Sequence, residues 1–185
     1  RWGREVARRA WWCLGISLVA LLVLAAPVLQ MRLGFATDGD DPTTFTQRRA
    51  YDLVTEGFGP GANGPLLIVI SVPDPTTATE GADLGALERL LAAIKATPGI
   101  KSVTSPLPNP AKNAAVALAV PVAAPNSPAT EQVVRNLRRT VIPNAVAGTP
   151  LAGNVSVGGQ TAELIDLTDR IDSKLLLCIG AVVLG

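Results

Sequence analysis

AWWCLGISLVALLVLAAPVLQM, Ala10 to Met31, is the stretch on which the rest of the chain turns. No charge interrupts it between Arg9 and Arg32. Its 22 residues would make a helix of about 33 Å, enough for a bilayer core of about 30 Å. A secretory leader has a shorter apolar core and a small-x-small cleavage site, whereas here Pro27 follows Ala25-Ala26 where cleavage would fall. A helix buried in a soluble core is rarely apolar on every side. Residues 10–31 therefore read as a membrane span. Trp11 and Trp12 stand at its start, where amphipathic rings favour the headgroup level. Pro27 can kink its last turns.

The flanks orient it. Residues 1–9 carry Arg1, Arg4, Arg8 and Arg9 against Glu5, so the positive-inside rule puts this basic flank in the cytoplasm. Residues 32–172 are then extracytoplasmic. From 32 to 174 there are 12 Lys/Arg against 14 Asp/Glu, which gives no basic surface for nucleic acid. The uncharged run LLLCIGAVVLG, residues 175–185, is too short to span alone. It reads as the truncated start of a second membrane helix, 173–185. The alternative is a terminal helix lying on a soluble core. Cys13 and Cys178 would sit at different depths in such helices and read as packing residues, not a disulfide. The chain has no His, and the outer segment no Cys. That removes Cys/His zinc sites, a His general base and a Cys nucleophile. No catalytic, cofactor or metal residue is assigned, and the chain is not expected to be an enzyme.

Asp38-Gly39-Asp40-Asp41-Pro42 reads as an acidic turn, either a solvated loop or a weak cation site. TTFTQRRAYDLVTEGF, 43–58, reads as a helix capped by Thr43 or Thr44, with Ala50, Val54 and Phe58 on its apolar face. Gly57-Phe58-Gly59-Pro60-Gly61 stops it. This glycine-rich loop follows a helix instead of opening one, which argues against phosphate binding. Leu66 to Val72, LLIVISV, is a continuous apolar run that predicts a strand buried on both faces. DLGALERLLAAIKATPG, 83–99, predicts an amphipathic helix burying Leu84, Leu87, Leu91 and Ile94, with Leu90 beside them, capped by Asp83 or Thr79.

Ile100–Ser105 predicts a short strand, and Pro106–Asn113 a loop. Ala114–Val122 predicts an alternating strand, with Val116, Leu118, Val120 and Val122 on one face and Ala117 and Ala119 on the other. Ser127-Pro128 opens a helix that turns Val133, Val134, Leu137 and Val141 inward and Arg135, Arg138 and Arg139 outward. GNVSVG, 153–158, predicts the last strand. A helix from Gln160 carries Leu164, Leu167 and Ile171 and runs through Asp172 and Lys174 into the second span. The order over 66–158 is β-α-β-β-α-β, an α+β, ferredoxin-like unit whose crossovers can bring non-adjacent strands together in parallel.

Two stretches carry a family resemblance. RRAYDLVTEGFGPGANGPLLIVI, 48–70, and VGGQTAELIDLTDRI, 157–171, resemble the MMPL (mycobacterial membrane protein large) branch of RND transporters. The Met31-Arg32-Leu33-Gly34 exit looks more like that family's second half. The resemblance implies a multi-pass plasma-membrane protein with a large extracytoplasmic porter domain. It also implies proton-driven export of lipids or other hydrophobic molecules. Its partners would be the bilayer, the lipid or hydrophobic substrate, and the remaining spans and porter domain of the same transporter. No Asp or Glu occurs within 10–31 or 175–185, so the proton relay would lie elsewhere.

Asp166 matches the family's aspartate after the GG-x-TA stretch. Either it is a hinge residue or it simply pairs with Arg170 one turn on. The Arg135/Arg138/Arg139 face either meets anionic lipid or a neighbouring subdomain, or is merely solvated. A membrane-anchored extracytoplasmic ligand-sensing module is the competing function.

Overall fold

The computed structural model describes residues 10–26, 36–71, 81–111 and 113–184. The basic flank 1–9, Pro27, the Met31–Gly34 exit, Val72 and Thr79 lie outside the described residues. The chain divides into two units, Arg1–Leu33 and Gly34–Gly185. In the first, helix α1 spans Ala10–Ala25 and buries none of its residues. Trp11 is 86% exposed. Such all-round apolar exposure suits a helix solvated by something other than water. Among the described residues no helix is long and apolar enough to cross a membrane. The described α1 has 16 residues, and the rest of the expected 22-residue span runs into residues outside the description.

The second unit is mixed α+β. A 3-10 turn, Asp38–Asp40, leads to α2, Thr46–Phe58. A second 3-10 turn, Pro60–Asn63, precedes β1, Leu66–Ser71. Then follow α3 (Gly81–Lys95), β2 (Ile100–Val103), β3 (Leu107–Pro108) and β4 (Ala114–Pro121). Next come α4 (Pro128–Asn136), a π-helical segment (Leu137–Val141) and α5 (Ile142–Val146). The last elements are β5 (Val155–Gly158) and α6 (Gln160–Leu184).

The sheet runs β2-β4-β1-β5, with β3 as a short addition beside β4. Every pairing is antiparallel. The crossovers do bring β1 and β2 into the same direction, but β4 lies between them, so no parallel ladder forms. The strand order β-α-β-β-α-β is the expected one, apart from the β3 hairpin, which the 106–113 loop reading missed.

The core is one face of the sheet covered by helices. Leu66, Ile68 and Ile70 of β1 and Ala117 and Ala119 of β4 meet Ala86, Leu90 and Ile94 of α3. Val133, Val134, Leu137, Ile142 and Val146 join from the α4–α5 stretch, and Ala162 and Ile165 from α6. Each fully buried Leu or Ile there contributes about 1.5–3 kcal/mol of transfer free energy.

The other face of the sheet is open. β1 alternates buried and exposed, so its expected burial on both faces is corrected: Leu67 is 39% exposed and Val69 37%. On β4 the alternation is as expected, but the alanines turn inward, and Val116 and Leu118 stand on the open face.

Helix details differ from the sequence reading in the same way. In α3 the fully buried row is Ala86, Leu90 and Ile94, with Leu87 and Leu91 beside it and Leu84 exposed. α3 begins at Gly81, so Asp83 lies inside its first turn instead of capping it. α2 begins at Thr46 with Phe45 at its N-cap and no side-chain cap bond, so neither Thr43 nor Thr44 serves. α2 buries none of its residues, and Ala50 and Phe58 are exposed. On α6, Leu167 and Ile171 are exposed, while Ala162 and Ile165 do the packing. Ser127 caps α4 as read, its hydroxyl accepting from the Ala129 N–H at 3.2 Å. The helix passes through the π segment and continues past Val141 as α5. Pro143 has no N–H to donate to the preceding turn, and the ladder widens just before it.

Candidate functional site

The two motif stretches converge on the loop after β4. Gly59 ends α2 with φ +93°, a conformation that Gly adopts without Cβ strain. The Lys101 ammonium donates to the Phe58 carbonyl at 2.6 Å, satisfying an acceptor at the helix C-terminus. A Cβ on Gly61 would overlap the Pro121 carbonyl, and one on Gly64 the Pro125 ring. Close backbone approach therefore demands glycine at both positions. Gly159, with φ +102°, turns β5 into α6, and a Cβ there would lie 2.8 Å from the Pro65 carbonyl oxygen. The buried Thr161 hydroxyl donates to Pro125 O at 2.8 Å. The buried Thr130 hydroxyl donates to Ala124 O at 2.8 Å and to Ala123 O at 3.1 Å. One loop, 123–125, thus anchors the starts of both α4 and α6.

A few residues further on, the two helices are joined by charge. Arg138 meets Asp166 as a fork: Nη1 to Oδ1 at 2.5 Å and Nη2 to Oδ2 at 3.0 Å. Its Nη2 also donates to Val157 O of β5 at 2.8 Å. Arg135 makes a second fork with Asp169, at 3.0 and 2.8 Å. It also binds Glu131 Oε1 through Nε and Nη2 at 3.2 and 3.1 Å. The pairs 135–169 and 138–166 run in opposite chain directions, so the two stretches lie antiparallel with matching three-residue spacing. Bidentate forks fix orientation as well as distance.

The electrostatics follow. The hydrogen bonds from Arg138 hold Asp166 below the usual carboxylate range. Those from Arg135 do the same for Asp169. Asp169 in turn pushes the Arg135 guanidinium up, with Glu131 adding to it. At neutral pH both forks are fully ionised.

Comparison with known proteins places this site in context. No family profile matches the chain. It is 34% identical to membrane protein YdfJ of Bacillus subtilis over 174 residues, covering 94% of the chain and 22% of YdfJ. It is 29% identical to the mycolic acid-containing lipids exporter MmpL11 of Mycolicibacterium smegmatis over 184 residues, covering all of the chain and 19% of that protein. The heme uptake protein MmpL11 of Mycobacterium tuberculosis is 29% identical over 189 residues, 99% of the chain and 18% of that protein. Along essentially its whole length the chain is similar to these MmpL11 proteins and to YdfJ. It spans about a fifth of the length of these relatives.

Within this chain the candidate residues fall out unevenly. Asp166 is paired, but with Arg138 and not with Arg170, whose charge acts on it only weakly from a distance. Of the three arginines, two bridge to α6, and Arg139 is exposed. The merely solvated reading holds for Arg139 alone. The acidic turn is internally used. Asp40 accepts from the Thr37 N–H at 2.8 Å and hydroxyl at 3.0 Å, bonds that hold its pKa down. Asp41 accepts from Gln47 at 3.2 Å. Arg48 donates to the Gly39 and Asp41 carbonyls. Among the described residues no Asp/Glu/Cys group could hold a metal ion. Sequence reading missed the Thr130 and Thr161 anchors. Thr161 carried a signal in the motif itself, since a threonine two residues past a glycine turn can bond back to a loop.

Proposed function

We propose that this chain is an MMPL-type segment, part of a proton-driven RND-type exporter of lipids or other hydrophobic molecules. Its α+β unit is a ferredoxin-like porter domain on the outer side of the plasma membrane, flanked by membrane helices of a multi-pass protein. It performs no chemistry on its cargo. Its partners are the bilayer, the cargo, and the further spans and porter domain of the same transporter. Two lines support this: the antiparallel order β2-β4-β1-β5 with helices on one face, and the relatives' names as a lipid exporter and a heme uptake protein.

The observation that carries the mechanism is the double fork on α6. This helix is unbroken from Gln160 to Leu184. It begins wedged into the porter-type unit by Thr161, Ala162 and Ile165 and is gripped by Arg138 and Arg135. A displacement of the unit therefore moves α6 with it. In an exporter that grip transmits motion between the cargo-handling domain and the membrane part, with the proton-carrying residues on other helices.

The test uses a full-length transporter carrying this segment, reconstituted in liposomes with a fluorescent lipid cargo and an imposed proton gradient. Arg138→Asp and Asp166→Arg each lower gradient-driven flux by about fivefold or more, the low end of ordinary coupling energies. Combining them restores it. Wild-type flux in both single variants overturns the coupling role. Flux that survives collapse of the gradient overturns the proton-driven part. Cargo binding with no flux at all favours the sensing module.

A further inference from the structure

The open face of the sheet is apolar where a solvated face would be polar. In an antiparallel sheet with one wet side, inward apolar residues alternate with outward polar ones. Here the outward set is apolar too. Val69 of β1 pairs with Val116 of β4, and Leu67 with Leu118. Leu107 of β3 stands opposite Val116 on its other side. Directly opposite residues share a face, so these side chains form one patch across three strands. Leu107 is 75% exposed, and the other four are 36–39% exposed. Their neighbours on β5 are Ser156 and Gly158, too short to shield them.

Charge is missing as well. Strands β1, β3, β4 and β5 contain no Asp, Glu, Lys or Arg, and Lys112 is the one charged residue between Lys101 and Glu131. On β2 the Lys101 ammonium is turned to the Phe58 carbonyl. Single exposed apolar residues are ordinary, whereas a contiguous patch marks an interaction surface. This one is also held ready. Asn109 closes the β3–β4 hairpin: its Oδ1 accepts from the Asn113 and Ala114 N–H groups at 3.0 and 3.1 Å, and its Nδ2 donates to Asn113 Oδ1 at 2.6 Å. The Asn109 N–H donates to Ala114 O at 2.9 Å. Pro106, Pro108 and Pro110 each fix φ in the same short stretch. The hairpin that presents Leu107 has therefore lost its freedom before any partner arrives, which lowers the ordering cost of a contact.

We propose that this face is covered, in the intact protein, by an apolar and charge-free face of the same polypeptide, from the part outside these 185 residues. Two observations choose that occupant. Permanent interfaces resemble a core cut in half, whereas transient ones keep more polar surface. Four strands without a charge match the permanent kind. A permanent partner is at hand, because the chain spans only about a fifth of the length of its relatives. The contact rests on the reading of the chain as one segment of a longer transporter.

Exposure at position 107 tests it. Leu107→Cys is made in the 185-residue chain in phosphatidylcholine nanodiscs and in the full-length transporter in liposomes, with all other cysteines replaced by serine. Maleimide labels it at least about tenfold more slowly in the full-length protein, the ratio for a contact closed ten times as often as open. A photoreactive phenylalanine analogue at position 107 or 118 forms adducts within the same polypeptide and beyond this segment, mapped by mass spectrometry. Mixing light and isotope-labelled copies separates adducts within one copy from adducts between two. Leu107→Asp leaves the Tm of the chain itself within about 2 °C, as for a surface substitution, and speeds labelling of Leu118→Cys in the full-length protein several-fold. Equal labelling rates in the two proteins, adducts to lipid alone, or adducts only between copies overturn the proposal. Flux keeps the two readings apart. Gradient-driven flux with an uncovered position 107 sinks the contact and spares the transporter, and a covered position 107 without flux does the reverse.

Discussion

Replacing Asp166 by asparagine keeps the side chain's size but removes its charge and one of the two acceptors of the Arg138 fork. The structure sets the size of the effect. The contact is bidentate, at 2.5 and 3.0 Å, but the Asp166 side chain is 57% exposed and that of Arg138 30%. Water screens such a pair, so the coupling in a double-mutant cycle with Arg138→Gln is expected at about 0.5–1 kcal/mol, the upper part of the range for exposed pairs. In a unit of this size that corresponds to about 1–4 °C in Tm. Arg138→Gln alone costs more than Asp166→Asn alone, because it also strips the Val157 carbonyl of its donor. Thermal unfolding of the four chains in phosphatidylcholine nanodiscs measures the cycle. The 135–169 fork holds the same two helices. In an Arg135→Gln background the 138–166 coupling should therefore shrink, since a loosened α6 no longer presents Asp166 in register. A cycle energy indistinguishable from zero, or one unaffected by the Arg135 change, would refute the view that the forks act as one clamp.

Two further outcomes are expected. The folded-state pKa values of Asp166 and Asp169 are depressed, so their stabilisation is present above the unfolded carboxylate value of about 4. It is lost as pH falls through the lower folded values. Tm is therefore flat from neutral pH to about 5 and falls below about 4, and the drop is shallower in Asp166→Asn/Asp169→Asn; an unchanged acid slope contradicts the assignment. Gly159→Ala forces a Cβ against Pro65 O at φ +102° and costs about 1–3 kcal/mol. Gly57→Ala, in helix α2 with open space around it, gains about 0.5–1 kcal/mol. Chemical denaturation of both variants checks the contrast, and equal effects would refute the backbone argument.

How far the sequence could be read follows from what each residue signals. Gly159 and Asp166 were legible because a turn glycine and a helix carboxylate each imply local geometry, whereas the Thr161 bond to Pro125, 36 residues away, was not. The strand order was legible because turn residues separate the apolar runs. The partner of Asp166 was not. Arg138 is 28 residues away, and nothing in a surface charge says which helix it will face. Arg170, one turn on, was the only partner that local spacing could offer. The buried face of β4 was equally hidden. Alternation told that Ala117 and Ala119 share a face, but hydrophobicity alone favoured Val116 and Leu118 for the inside. Which face the helices cover is a tertiary fact, and it is the face of Ala117 and Ala119. The π segment Leu137–Val141 was hidden too, because the apolar spacing of Val133, Val134, Leu137 and Val141 does not tell an α from a π turn.

The unbroken run of α6 has a mechanical side. A hydrogen-bonded helix resists stretching, so it can only slide, tilt or spin as a rod. From Asp166 to Leu184 that rod is about 27 Å long at about 1.5 Å per residue. A single grip would leave it free to swivel about that point. Two grips three residues apart fix its roll, so a twist of the α4 stretch would reappear as an equal twist at Leu184, without loss along the way.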